Sequence, residues 1–280
     1  MATPEANDDP VTFYSNLAIA ANPYDLRAPL TRVEKTSSLF YTQLPPEIRA
    51  NIYLHAMEDL EKEFIIKEDP DWKIANITPF TKILPKVCFM DRRTFYEAVL
   101  VYLRRSQIVL EDGGGKTLPK LIAFLSRFPR NEGFDAIREV TFLKAFTSYE
   151  FKLKSFNELD KITCQYPDAL IGRLSGLKTL RLAFTSFRIA HYDACEVDHV
   201  YTKEELSSEL NLDGLFEHGP RQLLIVRCTD WEIHPDDPTQ HGRWMFDNLI
   251  SLLKEGFAKH NRNVKVEVQW VSPWLNFSTQ

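Results

Sequence analysis

Along the first hundred residues the apolar positions follow a helical period. Ile48, Ile52 and Ala56 recur at i, i+4, i+8, one stripe of an amphipathic helix. It opens at Pro45-Pro46-Glu47, where proline lacks only an N–H that had no intrahelical partner and Glu47 complements the helix dipole. A second helix is predicted over about 80–89 through Ile83, Leu84, Val87 and Cys88. A third starts at Asp91, a good N-cap, and carries Phe95, Val99, Tyr102 and Leu103 inward to about 104. Between them, Phe64-Ile65-Ile66 and Trp72-Lys73-Ile74 read as the two strands of a hairpin.

Beyond residue 105 the pattern changes to strands alternating with helices. Ser106 to Leu110 is a strand, and Thr117 caps a helix through Leu121, Ile122, Leu125 and Phe128. Phe134-x-x-Ile137-x-x-Val140-x-Phe142 and Leu174-x-x-Leu177-x-x-Leu180-x-Leu182 share one spacing, 40 residues apart. Leu223-x-Ile225 continues that register 43 residues after Leu180, and Val264-x-Val266-x-Val268 follows 41 later. Ser155 with Glu158, and Thr202 with Glu205, have capping-box spacing, and a last helix is predicted over about 243–260.

Strand–helix units at a period of about 40 residues predict an α/β fold: stacked layers, a parallel sheet, helices on one side. The repeated Leu-type positions then face the helices. The intervening Glu139, Thr141, Thr179, Arg181, Gln222, Leu224, Lys265 and Glu267 face away. Of these, Thr141, Thr179, Arg181, Gln222, Leu224 and Lys265 are the candidate substrate-binding residues. The expected organisation is an irregular lead-in over 1–38, a helical region over 39–105 and a βα repeat domain over 106–280.

Composition narrows the class without naming an activity. The 280 residues are 44% hydrophobic and 26% charged, with a net charge of −5, as in ordinary globular proteins. No apolar run approaches the roughly 18 residues of a membrane span. The acidic start Met1-Ala2-Thr3-Pro4-Glu5 lacks the profile of a signal peptide. Cys88, Cys164, Cys195 and Cys228 stand far apart with no Cys-x-x-Cys, which points to reduced thiols in a cytoplasmic or nuclear protein. Residues 82–130 hold ten Lys/Arg against four Asp/Glu, whereas 192–238 hold three against twelve. These are two solvated faces of opposite sign, or docking surfaces for different partners.

Three stretches invite chemistry. Gly113-Gly114-Gly115-Lys116-Thr117 ends like a phosphate loop, but the first glycine of that motif falls on Leu110. His191, Asp193, Cys195, Glu196, Asp198 and His199 concentrate metal-ligand types, yet they read as a solvated acidic loop. His234 and His241 lie near Cys228 and Asp230 without the context of a known nucleophile motif. The expectation is a non-enzymatic protein with no cofactor, no metal and no membrane or nucleic-acid partner.

The segment Leu44-Pro45-Pro46-Glu47-Ile48-Arg49 through Ile52-Tyr53 resembles the opening of the F-box and F-box-like domains of filamentous fungi. Ile83-Leu84-Pro85-Lys86-Val87-Cys88, with Arg92-Arg93 and Phe95-Tyr96-Glu97-Ala98, is similar to the second part of that pattern. The resemblance covers about residues 39–143, and the remainder resembles the irregular leucine-rich repeats that often follow. It implies a substrate-recognition subunit of a cullin–RING ubiquitin ligase. Leu44, Pro45, Ile48, Ile52, Val87 and Cys88 would face the ligase adaptor, and the repeat body would hold a substrate protein. Two departures stand out: a long spacer from Met57 to Lys82, and Phe89-Met90-Asp91 where the family has a tryptophan. The same apolar side chains also suit a helix packed on its own domain, in a binding or scaffold protein with no ubiquitin role.

Overall fold

The computed structural model describes residues 39–60, 62–66, 84–90, 92–110, 117–146, 170–193, 196–229 and 242–271. The lead-in, the second hairpin strand at Trp72, the Ser155 cap, the Gly113–Lys116 turn and the His234–His241 stretch lie outside them.

Two helices open the fold, α1 (Leu39–Gln43) and α2 (Pro46–Ala56). After strand β1 (Glu63–Ile66) and a 3-10 turn at Lys86–Phe89 comes helix α3 (Arg92–Arg105). Then follow β2 (Gln107–Leu110), α4 (Thr117–Leu125), α5 (Glu132–Ala136), β3 (Glu139–Phe146) and β4 (Thr179–Thr185). A hairpin of β5 (Ala190–Asp193) and β6 (Glu196–Val200) precedes α6 (Lys203–Leu210) and α7 (Asp213–His218). The described residues close with β7 (Leu223–Thr229), α8 (Asp247–Lys259) and β8 (Lys265–Val271).

The main sheet is six-stranded, in the order β1-β2-β3-β4-β7-β8, and every pairing is parallel. Each strand therefore lies beside its predecessor, and each link is a crossover. Crossovers of one hand in a sequentially ordered sheet fall on one side, so the helices line one face. Two rows run from edge to edge: Phe64, Ile108, Val140, Leu180, Leu224 and Val266 form one, and Ile66, Leu110, Phe142, Leu182, Val226 and Val268 the next; beyond Phe142 the β3–β4 register shifts, so that Phe146 pairs with Phe184. From β1 through β7 these side chains are buried, in one core with Val99, Leu103, Leu121, Leu253 and Phe257 of the helices. The stacked βα architecture expected from the spacing is thus present.

Three local expectations change. Phe64-Ile65-Ile66 does form a strand, but it joins the main sheet in parallel with β2. The first βα unit thus begins inside the region expected to be helical, and a single core crosses the expected boundary at residue 105. Second, Val87 and Cys88 lie in a single 3-10 turn, because Pro85 stands directly before it as its N-cap. Third, the His191–His199 loop is the β5–β6 hairpin, with His191 opposite His199.

The Thr202 cap forms as predicted. Glu205 N donates to Thr202 Oγ1 at 3.3 Å, and Thr202 N donates back to Glu205 Oε2 at 2.7 Å. That backbone bond, helped by His199, holds the Glu205 carboxyl down at about 2.

Helix α8 meets α7 at Gly256, where an added Cβ would come within 2.3 Å of the Phe216 ring. Alanine gains up to about 1 kcal/mol of helix propensity over glycine, but overpacking costs typically 1–3 kcal/mol. Gly256→Ala is therefore expected to destabilise by about 1–2 kcal/mol in urea unfolding. A stabilised variant would show that the ring moves aside freely.

Candidate functional site

Helix α2 buries Arg49, Tyr53 and Met57 and turns Ile48, Ile52 and Ala56 outward. An isoleucine pair in water and an arginine in the interior invert the usual preference, and the cause is specific. Arg49 Nε donates to Glu97 Oε2 at 2.8 Å, and its Nη2 donates to Glu97 Oε1 at 2.7 Å, a two-pronged bond from α2 to α3. Its third prong, Nη1, donates to the Leu44 carbonyl, and the Tyr41 ring lies 5.6 Å away. Hydrogen bonding to Glu97 raises the Arg49 pKa and outweighs the cost of burial. The Arg93 Nε and the Tyr53 hydroxyl donate to the same carboxylate at 3.3 and 3.4 Å. With the helix rotation so fixed, Ile48 stays 45% exposed and Ile52 42%.

At Ala56 the outward stripe reaches a cleft of about 510 Å³, lined by Leu60, Leu84, Pro85, Val87 and Tyr102 and by the charged Glu63 and Lys86. Two segments of the sequence motif thus converge: Val87 lines the hollow at the foot of the Ile48–Ile52 ridge. Pro45 is exposed and Leu44 half-buried at the head of the helix. Cys88 does not belong to this surface. It is fully buried, and burial pushes its thiol up to about 12, so it serves packing.

The second candidate surface is the sheet face turned away from the core rows. Its first row is Glu63, Gln107, Glu139, Thr179, Leu223 and Lys265, and its second Ile65, Val109, Thr141, Arg181, Ile225 and Glu267. Thr141, Thr179, Arg181 and Lys265 stand where the spacing puts them. Leu224 does not: it pairs with Leu180 and Val266 and is 0% exposed in the core. Gln222 shares that parity and precedes the strand, where its carbonyl accepts from Lys265 N. The third unit is offset by one residue, so Leu223, Ile225 and Arg227 take the outward parity instead, Leu223 and Arg227 half-buried and Ile225 buried. Arg181 Nη1 reaches across two strands, donating to Gln107 Oε1 at 2.8 Å and Glu139 Oε2 at 3.2 Å. Gln107 Nε2 in turn donates to Thr141 Oγ1 at 2.9 Å, and Thr141 is left only 2% exposed. Thr141 thus supports this network from beneath rather than meeting a guest.

No protein-family model, curated protein or solved structure matches the chain. The histidines of the hairpin turn to carboxylates: His191 Nδ1 lies 3.4 Å from Asp198 Oδ2 and His199 Nε2 2.9 Å from Glu205 Oε2. Among the described residues no group of three metal-ligand side chains gathers, and no helix is long and apolar enough to cross a membrane. Cys195 lies outside the described residues. Sequence reasoning missed Arg49 and Glu97 as the device that sets the helix rotation, and Gln107 and Arg227 as members of the open face. A signal for the first pair was present, in charges 48 residues apart on two amphipathic helices, but nothing in the spacing matched one to the other.

Proposed function

We propose that the protein is a non-enzymatic recognition subunit of F-box-like type, working in the cytoplasm or nucleus. In this reading the α2 ridge and its cleft dock the adaptor of a cullin–RING ubiquitin ligase, and the outward sheet face holds a substrate protein. The supporting observation is that Ile48 and Ile52 stay in solvent on a helix whose rotation is locked from the other side. With 45% and 42% of their surface still to bury, these two side chains contribute about 1 kcal/mol each once covered by a partner. They have the central, apolar character of interface anchors.

Ile48→Asp with Ile52→Asp is expected to reduce co-purification of the ligase adaptor at least tenfold. Because both side chains already face water, the unfolding midpoint should stay nearly unchanged. Undiminished adaptor recovery from the folded double variant refutes the docking site.

The burial of Cys88 favours a second reading. With that residue in the core, half of the later motif segment is withheld from any partner. The ridge then serves a scaffold or binding protein with no ubiquitin role, and wild-type protein recovers no adaptor at all.

A further inference from the structure

Two arginines share the outward sheet face where β4 and β7 run side by side, half-buried among Ala183 and Ile225, which are 5% and 4% exposed. Arg181 pairs in register with Ile225, and Ala183 with Arg227. Both arginines have the outward parity, so they occupy diagonal positions of one face, a separation of roughly 7–8 Å. Arg181 is engaged by Gln107 and Glu139. Arg227 has no hydrogen-bond or ion-pair partner among the described residues. The carboxylates on the flanking strands are taken: Glu139 by Arg181 at 3.2 Å, Glu267 by Lys265. Directly across from Arg227 stand only the methyl group of Ala183 on one side and the exposed amide of Gln269 on the other.

Arg227 is moreover only partly in water. Burial lowers its pKa, and the charge of Arg181 lowers it further. A guanidinium has five donors and never ionises away in practice, so partial burial beside a like charge is unfavourable until an anion arrives. The chain as a whole is acidic, at −5, so this is a local feature rather than part of an extended basic surface. That favours a short acidic peptide over nucleic acid, whose affinity grows with the number of phosphates neutralised.

We propose that Arg227, flanked by Arg181, forms an oxyanion-binding site on the outward face, and that its guest is a protein segment presenting a carboxylate or phosphate. The inference rests on the reading of this face as the substrate surface, and it specifies the chemistry of what binds. The Arg227 fork takes the anion through two parallel N–H bonds, while Arg181 adds charge without leaving Glu139.

Fluorescence anisotropy on the full chain tests this with three labelled peptides of equal length. One carries a run of glutamates, one a phosphoserine in a neutral background, and one glutamines only. The glutamate or the phosphoserine peptide is expected to bind at least tenfold more tightly than the glutamine peptide, and the tighter of the two identifies the anion. Arg227→Gln is expected to remove that preference, with a melting temperature no lower than wild type. Arg227→Lys keeps part of it, since the charge remains without the fork. Gln269→Glu, an exposed change that sets a carboxylate beside Arg227, should suppress acidic-peptide binding with the melting temperature held within about 2 °C of wild type. Equal binding of all three peptides overturns the acidic specificity while leaving a guest surface standing. An unaltered preference in Arg227→Gln and Gln269→Glu overturns the site. Neither result touches the α2 ridge, which the adaptor experiment addresses separately.

Discussion

Glu97→Ala should cost about 3–5 kcal/mol of folding stability, the effect of stranding a buried charge. Arg49 is 4% exposed at its side chain, and Glu97 takes two of its three prongs. Removing the carboxylate leaves the guanidinium desolvated with only the Leu44 carbonyl to bond. Urea unfolding measures the loss directly, and the double variant Arg49→Met with Glu97→Leu provides the contrast. Replacing a whole buried ion pair by apolar groups is often neutral, so the double variant should recover most of the loss. A loss below about 1 kcal/mol in Glu97→Ala would mean that water reaches Arg49 freely. The α2 rotation would then lack its lock, and the outward display of Ile48 and Ile52 would have no physical basis.

The second large effect separates two registers. With Leu224 in the core row between Leu180 and Val266, Leu224→Asp buries a carboxylate among aliphatic side chains with no partner. The cost should exceed about 4 kcal/mol and leave no cooperative thermal transition at neutral pH. Leu223→Asp, one residue earlier, places the same group on the half-exposed open face and should cost about 1 kcal/mol or less. If Leu223→Asp unfolded the protein and Leu224→Asp did not, strand β7 would be turned over, and Arg227 with it.

This contrast also marks where the sequence is legible. In β3, β4 and β8 apolar residues alternate with polar ones, and the alternation alone settles which side faces the helices. In β7 the run Leu223-Leu224-Ile225-Val226 is apolar throughout, so either parity satisfies a hydrophobic pattern. Only Arg227 breaks the tie: a guanidinium without a carboxylate partner is kept out of the core, which turns Cys228 and hence Leu224 inward. Counting from Leu180 with a period near 40 overrides that single charge and lands one residue early. Strand β1 was hidden differently. Its four residues, Glu63 to Ile66, are too few to show whether they pair locally or with a strand more than 40 residues onward.

The candidate docking helix shows the same limit from another direction. Its i, i+4, i+8 apolar stripe is visible in the chain, but periodicity identifies a face without saying which way it points. The inward stripe Arg49, Tyr53 and Met57 has the same spacing, one residue displaced. What decides between them is a carboxylate 48 positions away, and that is tertiary information.

Because each strand of the large sheet touches only the ones made just before and just after it, the molecule has a mechanical polarity. Tension applied through β8 would load that strand first, then β7, then β4, in the order of the sheet. The α2–α3 clamp lies at the opposite edge of the sheet order from β8, so a pull on β8 would reach it last.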